Sequence, residues 1–102
     1  MGDPDFLNGL GGEVLLLKRH LEMLDAIQMH QPAGIIRLSE LLGIPRHKVR
    51  YSLRMLEKEG YIVATADGAV VSDKYSKSKD ALHRQLEDII FRLETIKKEH
   101  FE

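Results

Sequence analysis

The stretch IRLSELLGIPRHKVRYSLRMLEKEGYI, residues 36–62, decides the fold class of this chain. It predicts two helices, over residues 37–42 and 46–59, that are joined by a tight turn. Gly43 stands where a left-handed residue ends many helices, because glycine adopts positive φ without a Cβ clash. Pro45 then favours a new helix start, since its fixed φ suits the first turn and its missing N–H has no helical partner there.

The second predicted helix has one apolar face and one cationic face. Its apolar residues are spaced four and three apart, as in a buried stripe: Val49, Leu53 and Leu56. Four cations and no acid occupy positions 46 to 54: Arg46, Lys48, Arg50 and Arg54. Three other residues there add hydrogen-bonding groups: His47, Tyr51 and Ser52. Cations in the N-terminal turns oppose the helix dipole, so a bound polyanion explains them better than helix stability does; the alternative is an ordinary solvated face.

The elements on either side complete a small domain. Residues 61–66 and 69–72 predict two short strands, and Asp67-Gly68 between them is a strong signal for a two-residue hairpin turn. Residues 13–30 predict a long first helix, and residues 35–36 predict a short strand. The expected core residues of the first helix are Leu17, Leu21, Leu24 and Met29.

Helix, helix and hairpin follow one another in the order of a winged helix-turn-helix, and the segment 38–72 resembles that domain of bacterial and archaeal transcription regulators. Three short patterns carry the resemblance: an L-x-x-L-G-I corner (Leu38, Leu41 or Leu42, Gly43, Ile44), the D-G pair, and a V-x-x-x-L-x-x-L-E-x-x-G-Y-I run (Val49, Leu53, Leu56, Glu57, Gly60, Tyr61, Ile62). The resemblance implies a mainly α fold with a small β-hairpin, and double-stranded DNA as the partner. It is weaker evidence for function, because a fold does not fix a function.

By this resemblance the helix over residues 46–59 enters the major groove. The residues expected at base edges and phosphates are Arg46, His47, Arg50, Tyr51 and Arg54, with Lys48 as a flanking phosphate contact. The expected wing tip departs from the DNA-binding pattern, because residues 66–69 contain Asp67 and no cation. Lys74, followed by Lys77 and Lys79, is expected to replace the wing at the DNA backbone.

A long C-terminal helix is predicted over residues 75–99. Its apolar residues are spaced four, three, four and three apart: Leu82, Leu86, Ile89, Leu93 and Ile96. This heptad spacing predicts a coiled coil that joins two subunits, with help from the first helix because the seam is short. The alternative is a helix folded back on its own domain. The layout resembles small archaeal winged-helix DNA-binding proteins that dimerise through this helix.

Charge is distributed unevenly along a chain whose net charge is only −1. Residues 1–36 carry two cations and five acids, whereas residues 37–62 carry six cations and three acids, so a basic footprint is confined to the second stretch. The chain has no cysteine and its histidines are scattered. We therefore expect no catalytic residues, no metal site and no cofactor.

The predicted organisation is a flexible segment (1–12), a winged helix-turn-helix domain (13–74) and a dimerisation helix (75–102). No apolar run reaches membrane-spanning length and no signal peptide is recognisable, so we expect a cytoplasmic protein without a membrane partner. The predicted function is that of a homodimeric, sequence-specific transcription regulator. The alternative is a protein-interaction module of a larger assembly that does not bind DNA.

Overall fold

The computed structural model describes residues 2–102, which form two compact units that meet at Ser72 and Asp73. The first unit contains three helices and an antiparallel hairpin, and the second is a single long helix. In chain order the elements are α1 (Asn8–His30), α2 (Ile35–Leu42), α3 (Arg46–Lys58), β1 (Ile62–Thr65), β2 (Gly68–Val71) and α4 (Asp73–Phe101). The mainly helical class with a small hairpin and a long C-terminal helix is thus confirmed. Among the described residues, none of these helices is both long and apolar enough to cross a membrane.

The core of the first unit joins one face of each of its helices to the hairpin. The most deeply buried apolar side chains are Met23, Leu24 and Ile27 of α1, Leu38 of α2, Val49 and Leu56 of α3, and Ile62 of β1. Full burial of such a side chain stabilises the fold by about 1.5–3 kcal/mol. Leu24, Val49 and Leu56 were expected there. Leu17 and Met29 were expected too, but they are 41% and 80% exposed because they lie outside the buried face of α1.

The turn between α2 and α3 has the expected geometry. Gly43 adopts φ 64°, ψ 34°, and its N–H donates to the Ser39 carbonyl, which caps the end of α2. The Ser39 hydroxyl donates to the carbonyl of Ile44. Pro45 precedes the first residue of α3 with an extended backbone (ψ 148°). This corner fixes the direction in which α3 leaves α2.

The predictions for residues 35–36 and for the start of α1 are wrong. Residues 35–36 begin α2 instead of forming a strand, because Ile35 continues the helical spacing of Leu38 and Leu42. Ala33 pairs with β2 in their place through two backbone hydrogen bonds with Ala69, of 3.0 and 2.8 Å. Helix α1 begins at residue 8, so the last five residues of the segment predicted to be flexible are helical. Met1 lies outside the described residues.

The hairpin turn lies one residue earlier than the Asp-Gly signal indicates. Thr65 pairs with Gly68, so Ala66 and Asp67 form the turn and Gly68 is the first residue of β2. Gly68 has φ 132°, and a Cβ built on it would lie 2.7 Å from the carbonyl carbon of Ala33. The glycine is therefore required by the close approach of another backbone segment as well as by its own conformation.

Helix α4, taken by itself, carries the predicted heptad seam on an exposed face. The exposed fractions are 38% for Leu86, 50% for Ile89, 40% for Leu93 and 50% for Ile96, and Leu82 is half-buried. Ion pairs between side chains four residues apart lie elsewhere on the helix, including Asp88 with Arg92 at 2.8 Å. Such pairs stabilise an exposed helix slightly.

The N-terminal half of α1 carries a second exposed apolar face. Its residues are spaced three and four apart and begin with the residue directly before the helix. We call them the α1 strip: Leu7, Leu10, Val14 and Leu17. They are 61%, 47%, 54% and 41% exposed, respectively. The strip precedes Met23, where α1 enters the core. One helix thus serves the domain core with its C-terminal half and leaves an apolar seam on the other half.

Candidate nucleic-acid interface

Helix α3 separates a buried face from a cationic one. Val49, Ser52 and Leu56 are buried, and the helical period places position 50 and position 54 on the opposite side. Five side chains that were predicted to contact DNA are exposed on this helix: Arg46, His47, Lys48, Arg50 and Arg54. We call them the α3 surface. Within the part of the chain that the structure describes, none of them forms an ion pair with an acid.

The start of α3 adds to the positive potential of this surface. Its first turn contains no acid, and no side chain caps its free N–H groups. The helix dipole is positive at this end, so Arg46 and Lys48 raise the potential further instead of compensating it. Glu57 and Glu59 follow only at the other end of the helix. An anion near the first two turns of α3 would relieve this repulsion.

Ser52 is a correction to the sequence prediction, which placed its hydroxyl among the outward hydrogen-bonding groups. The side chain is fully buried and lies between two residues of α1. Its Oγ accepts a hydrogen bond from Nε of Arg19 at 3.0 Å and lies 2.9 Å from Nδ1 of His20. Since Arg19 can only donate, the Ser52 hydrogen is available for Nδ1 of a neutral His20 whose proton is on Nε2. That assignment lets the buried hydroxyl accept one hydrogen bond and donate another.

The surroundings of His20 favour this neutral form. Burial is the main cause that lowers the pKa of His20 below its ordinary value of 6.5, and the positive charge of Arg19 acts in the same direction. Glu13 acts in the opposite direction with a smaller effect. A protonated His20 would have no lone pair to accept from Ser52, so the low pKa and the hydrogen-bond chain agree.

Tyr51 connects this buried chain to the α3 surface. Its ring is 43% exposed and stacks against the His20 ring, with centroids 6.1 Å apart and planes inclined by 24°. The guanidinium carbon of Arg19 lies 5.8 Å from the Tyr51 centroid, within range of a cation–π contact. The predicted contact residue Tyr51 is thus held in place from α1, with part of its ring left open to solvent.

The remaining predicted contact residue, Lys74, belongs to the other compact unit. It is exposed in the first turn of α4, as are Lys77 and Lys79 farther along that helix. Lys79 places its ammonium 5.2 Å from the Tyr75 ring centroid. Five of the seven predicted residues are thus exposed on α3, Tyr51 is partly exposed on the same helix, and Lys74 lies on a different element.

Sequence reasoning missed Arg19 and His20 as neighbours of α3. They stand 33 and 32 positions before Ser52, and no local pattern links residues that far apart. The only hint is that residues 18–20 form the one basic cluster in an otherwise acidic first third of the chain. Among the described residues, His, Asp and Glu side chains form no group of three or more that could hold a metal ion.

Comparison with protein-family models gives no match to this chain, and comparison with curated proteins gives none either.

Proposed function

We propose that this chain is a winged helix-turn-helix protein that binds double-stranded DNA sequence-specifically as a homodimeric transcription regulator. Helix α3 enters the major groove. The single observation that carries the proposal is the α3 surface. Its four Arg and Lys side chains are exposed and have no acidic partner, on a helix that follows a tight turn and buries its other face.

The dimensions of this surface suit DNA. Four cations within nine residues of helix span about 12 Å, since the rise is about 1.5 Å per residue, and an α-helix fits the major groove of B-DNA. Arginine donors match guanine edges or phosphates in pairs. The rigid corner at Gly43 and the buried Val49 and Leu56 hold α3 against the core. Binding then requires little ordering of the protein.

The hairpin contributes less to DNA binding in this proposal than α3 does. Its tip, Ala66 and Asp67, carries a negative charge, which DNA phosphates would repel. Lys74, Lys77 and Lys79 on α4 are the proposed backbone contacts in its place. In this proposal the hairpin packs against the core and does not insert into the minor groove.

Two exposed apolar seams support the homodimer. The α4 seam and the α1 strip both repeat at intervals of three and four residues, which is the spacing that pairs helices across an interface. An isolated helix with such a face exposes apolar surface that water disfavours. A second copy presents the same seams, so a two-fold axis pairs a seam with the identical seam of the other copy. Two α3 helices then address successive major grooves.

A second candidate function is a protein-interaction module of a larger assembly that does not bind DNA. The same exposed seams favour it, because they fit the helices of a different protein as well as those of a second copy. This alternative leaves the unpaired cations of the α3 surface without a role.

Selection of bound duplexes from a random pool, followed by titration over a salt series, tests the proposal. A sequence-specific protein enriches one motif and binds it at least about a thousandfold more tightly than unrelated duplex. Affinity must also fall steeply with salt, because each contacted phosphate releases counterions. A chain that enriches no motif and binds no duplex at low salt is an interaction module instead.

A further inference from the structure

We propose that Arg19 of α1 binds a backbone phosphate at the edge of the α3 surface, and that Ser52 and Tyr51 hold its guanidinium for that contact. The inference rests on the proposed function and extends it to a residue outside the helix-turn-helix.

The guanidinium of Arg19 is fixed by two contacts that leave most of its donors unused. Its Nε–H is taken by Ser52 Oγ at 3.0 Å, and its carbon lies 5.8 Å from the Tyr51 centroid. A guanidinium has five N–H donors, so four remain on the two terminal nitrogens. Among the described residues, these nitrogens have no protein acceptor. Paired N–H groups of this kind match two oxygens of a phosphate.

Arg19 forms no ion pair, whereas the residue before it does. Lys18 is 73% exposed and lies 3.8 Å from Glu22, whereas the half-buried Arg19 has no ion pair within residues 2–102. A partly buried cation loses hydration and is usually compensated by an anion. The structure orients Arg19 with a neutral hydroxyl and an aromatic ring, which hold the group without neutralising it. An external anion would complete the arrangement.

The position of Arg19 identifies that anion as DNA phosphate. Tyr51 lies on α3 directly after Arg50 and three residues before Arg54, so the Arg19 guanidinium borders the same basic surface. A helix in the major groove is flanked by the phosphates of both groove walls. A cation at the side of that helix contacts these phosphates and not a base edge. The contact therefore adds affinity and fixes orientation, and it does not change the sequence that is read.

A purely structural role for Arg19, tying α1 to α3, is the competing explanation. The salt dependence of DNA binding separates the two, because a structural tie changes affinity without changing the number of phosphates contacted. Each phosphate contact contributes about 0.9 to the slope of log affinity against log salt.

The experiment titrates a 30-base-pair duplex carrying the selected motif with four proteins over a sodium chloride series. The proteins are the parent, Arg19→Gln, Arg19→Lys and the control Lys18→Gln, which removes a charge one residue away. We expect Arg19→Gln to lower the slope by about one per bound subunit while the enriched motif stays the same. Arg19→Lys should keep the slope and bind several-fold more weakly, since lysine cannot form the paired contact. Lys18→Gln should behave like the parent.

Several results would overturn the inference. A folded Arg19→Gln with the parent slope makes the residue structural. If Arg19→Gln does not fold, Arg19→Lys tests the inference instead. Binding by Arg19→Lys as tight as that of the parent at every salt concentration would exclude a fixed guanidinium contact. An equal loss of slope in Lys18→Gln means that α1 acts through its general charge. If the parent binds no duplex, the proposed function itself is overturned. If the parent binds duplex and Arg19→Gln binds it equally well, only the role of Arg19 is overturned.

Discussion

The backbone of Ala33 passes so close to Gly68 that a side chain has no room there. We predict that Gly68→Ala lowers the free energy of unfolding by more than about 1 kcal/mol, because the new Cβ meets the Ala33 backbone at 2.7 Å and φ of 132° strains any L-residue. Thermal or denaturant unfolding measures the effect. Gly12→Ala is the matched control: Gly12 is helical with open space around it, and alanine there should stabilise by up to about 1 kcal/mol. Equal effects of the two substitutions would contradict the packing at Gly68.

His20 makes stability depend on pH in a predictable direction. Because its pKa is lowered in the folded state, the unfolded chain binds more protons in the window from 6.5 down to the folded pKa. The free energy of unfolding should therefore be highest above pH 6.5 and should decrease as the pH falls through this window. Denaturant titrations at several pH values measure the slope.

His20→Gln should flatten that part of the pH profile, while His83→Gln, which removes an exposed histidine of α4, should retain it. A His20→Gln profile parallel to that of the parent would mean that His20 is not kept neutral by its surroundings.

The sequence predicts which residues are buried only where the contacts are between residues close together along the chain. The period of α3 identifies Val49 and Leu56 as buried and Arg50 and Arg54 as exposed, because neighbours along a helix share a face. The same period does not separate Ser52, which is buried only because α1 supplies two hydrogen-bonding partners from more than 30 positions away. Contacts of that length depend on the tertiary fold and leave no local pattern.

At the scale of elements, boundaries were the weakest predictions and element types the strongest. The winged-helix resemblance predicts a strand at residues 35–36, but Ile35 lies on the same face as Leu38 and Leu42 and α2 begins there, while Ile36 is 55% exposed. The glycines at positions 9, 11 and 12 suggested a flexible segment, although the structure continues α1 through them. Intrinsic propensity is a weak guide wherever tertiary packing or neighbouring helix formers decide.

The hairpin gives a prediction about DNA binding. The tip consists of Ala66 and Asp67, and the Asp67 side chain is exposed. If the hairpin approaches the duplex, Asp67→Lys replaces repulsion by attraction and should increase affinity several-fold, most clearly at low salt where screening is weak. Titration of a duplex at low and moderate salt measures this change. Unaltered or weaker affinity at low salt would place the wing away from DNA.

At the scale of the whole molecule, the α4 seam gives the sharpest prediction. Ile89 lies at its middle and is 50% exposed in the single chain, so Ile89→Glu should not unfold the protein. In a dimer the same carboxylate would be buried beside its symmetry mate, at a cost in desolvation and repulsion. We expect a monomer by sedimentation. We also expect a large loss of affinity for a site with two half-sites about 34 Å apart, because the two contacts no longer combine.

Phe91→Glu is the control for this prediction, because Phe91 is 67% exposed and lies off the seam. It should remain dimeric. A dimer that persists in Ile89→Glu would remove the α4 seam from the interface, and a monomer that binds the full site as tightly as the parent would show that one domain suffices.

Substitution of exposed cations on α3 shows whether this helix binds DNA. Parent, Arg50→Ala, Arg54→Ala and the control Arg84→Ala, which removes an exposed arginine of α4, are titrated with the selected duplex over a salt series. We predict that each α3 variant stays folded and either loses about 1–3 kcal/mol of binding per base contact or lowers the salt slope by about one per subunit, while Arg84→Ala binds like the parent. If Arg50→Ala and Arg54→Ala both bind like the parent at every salt concentration, α3 is not the DNA-binding helix.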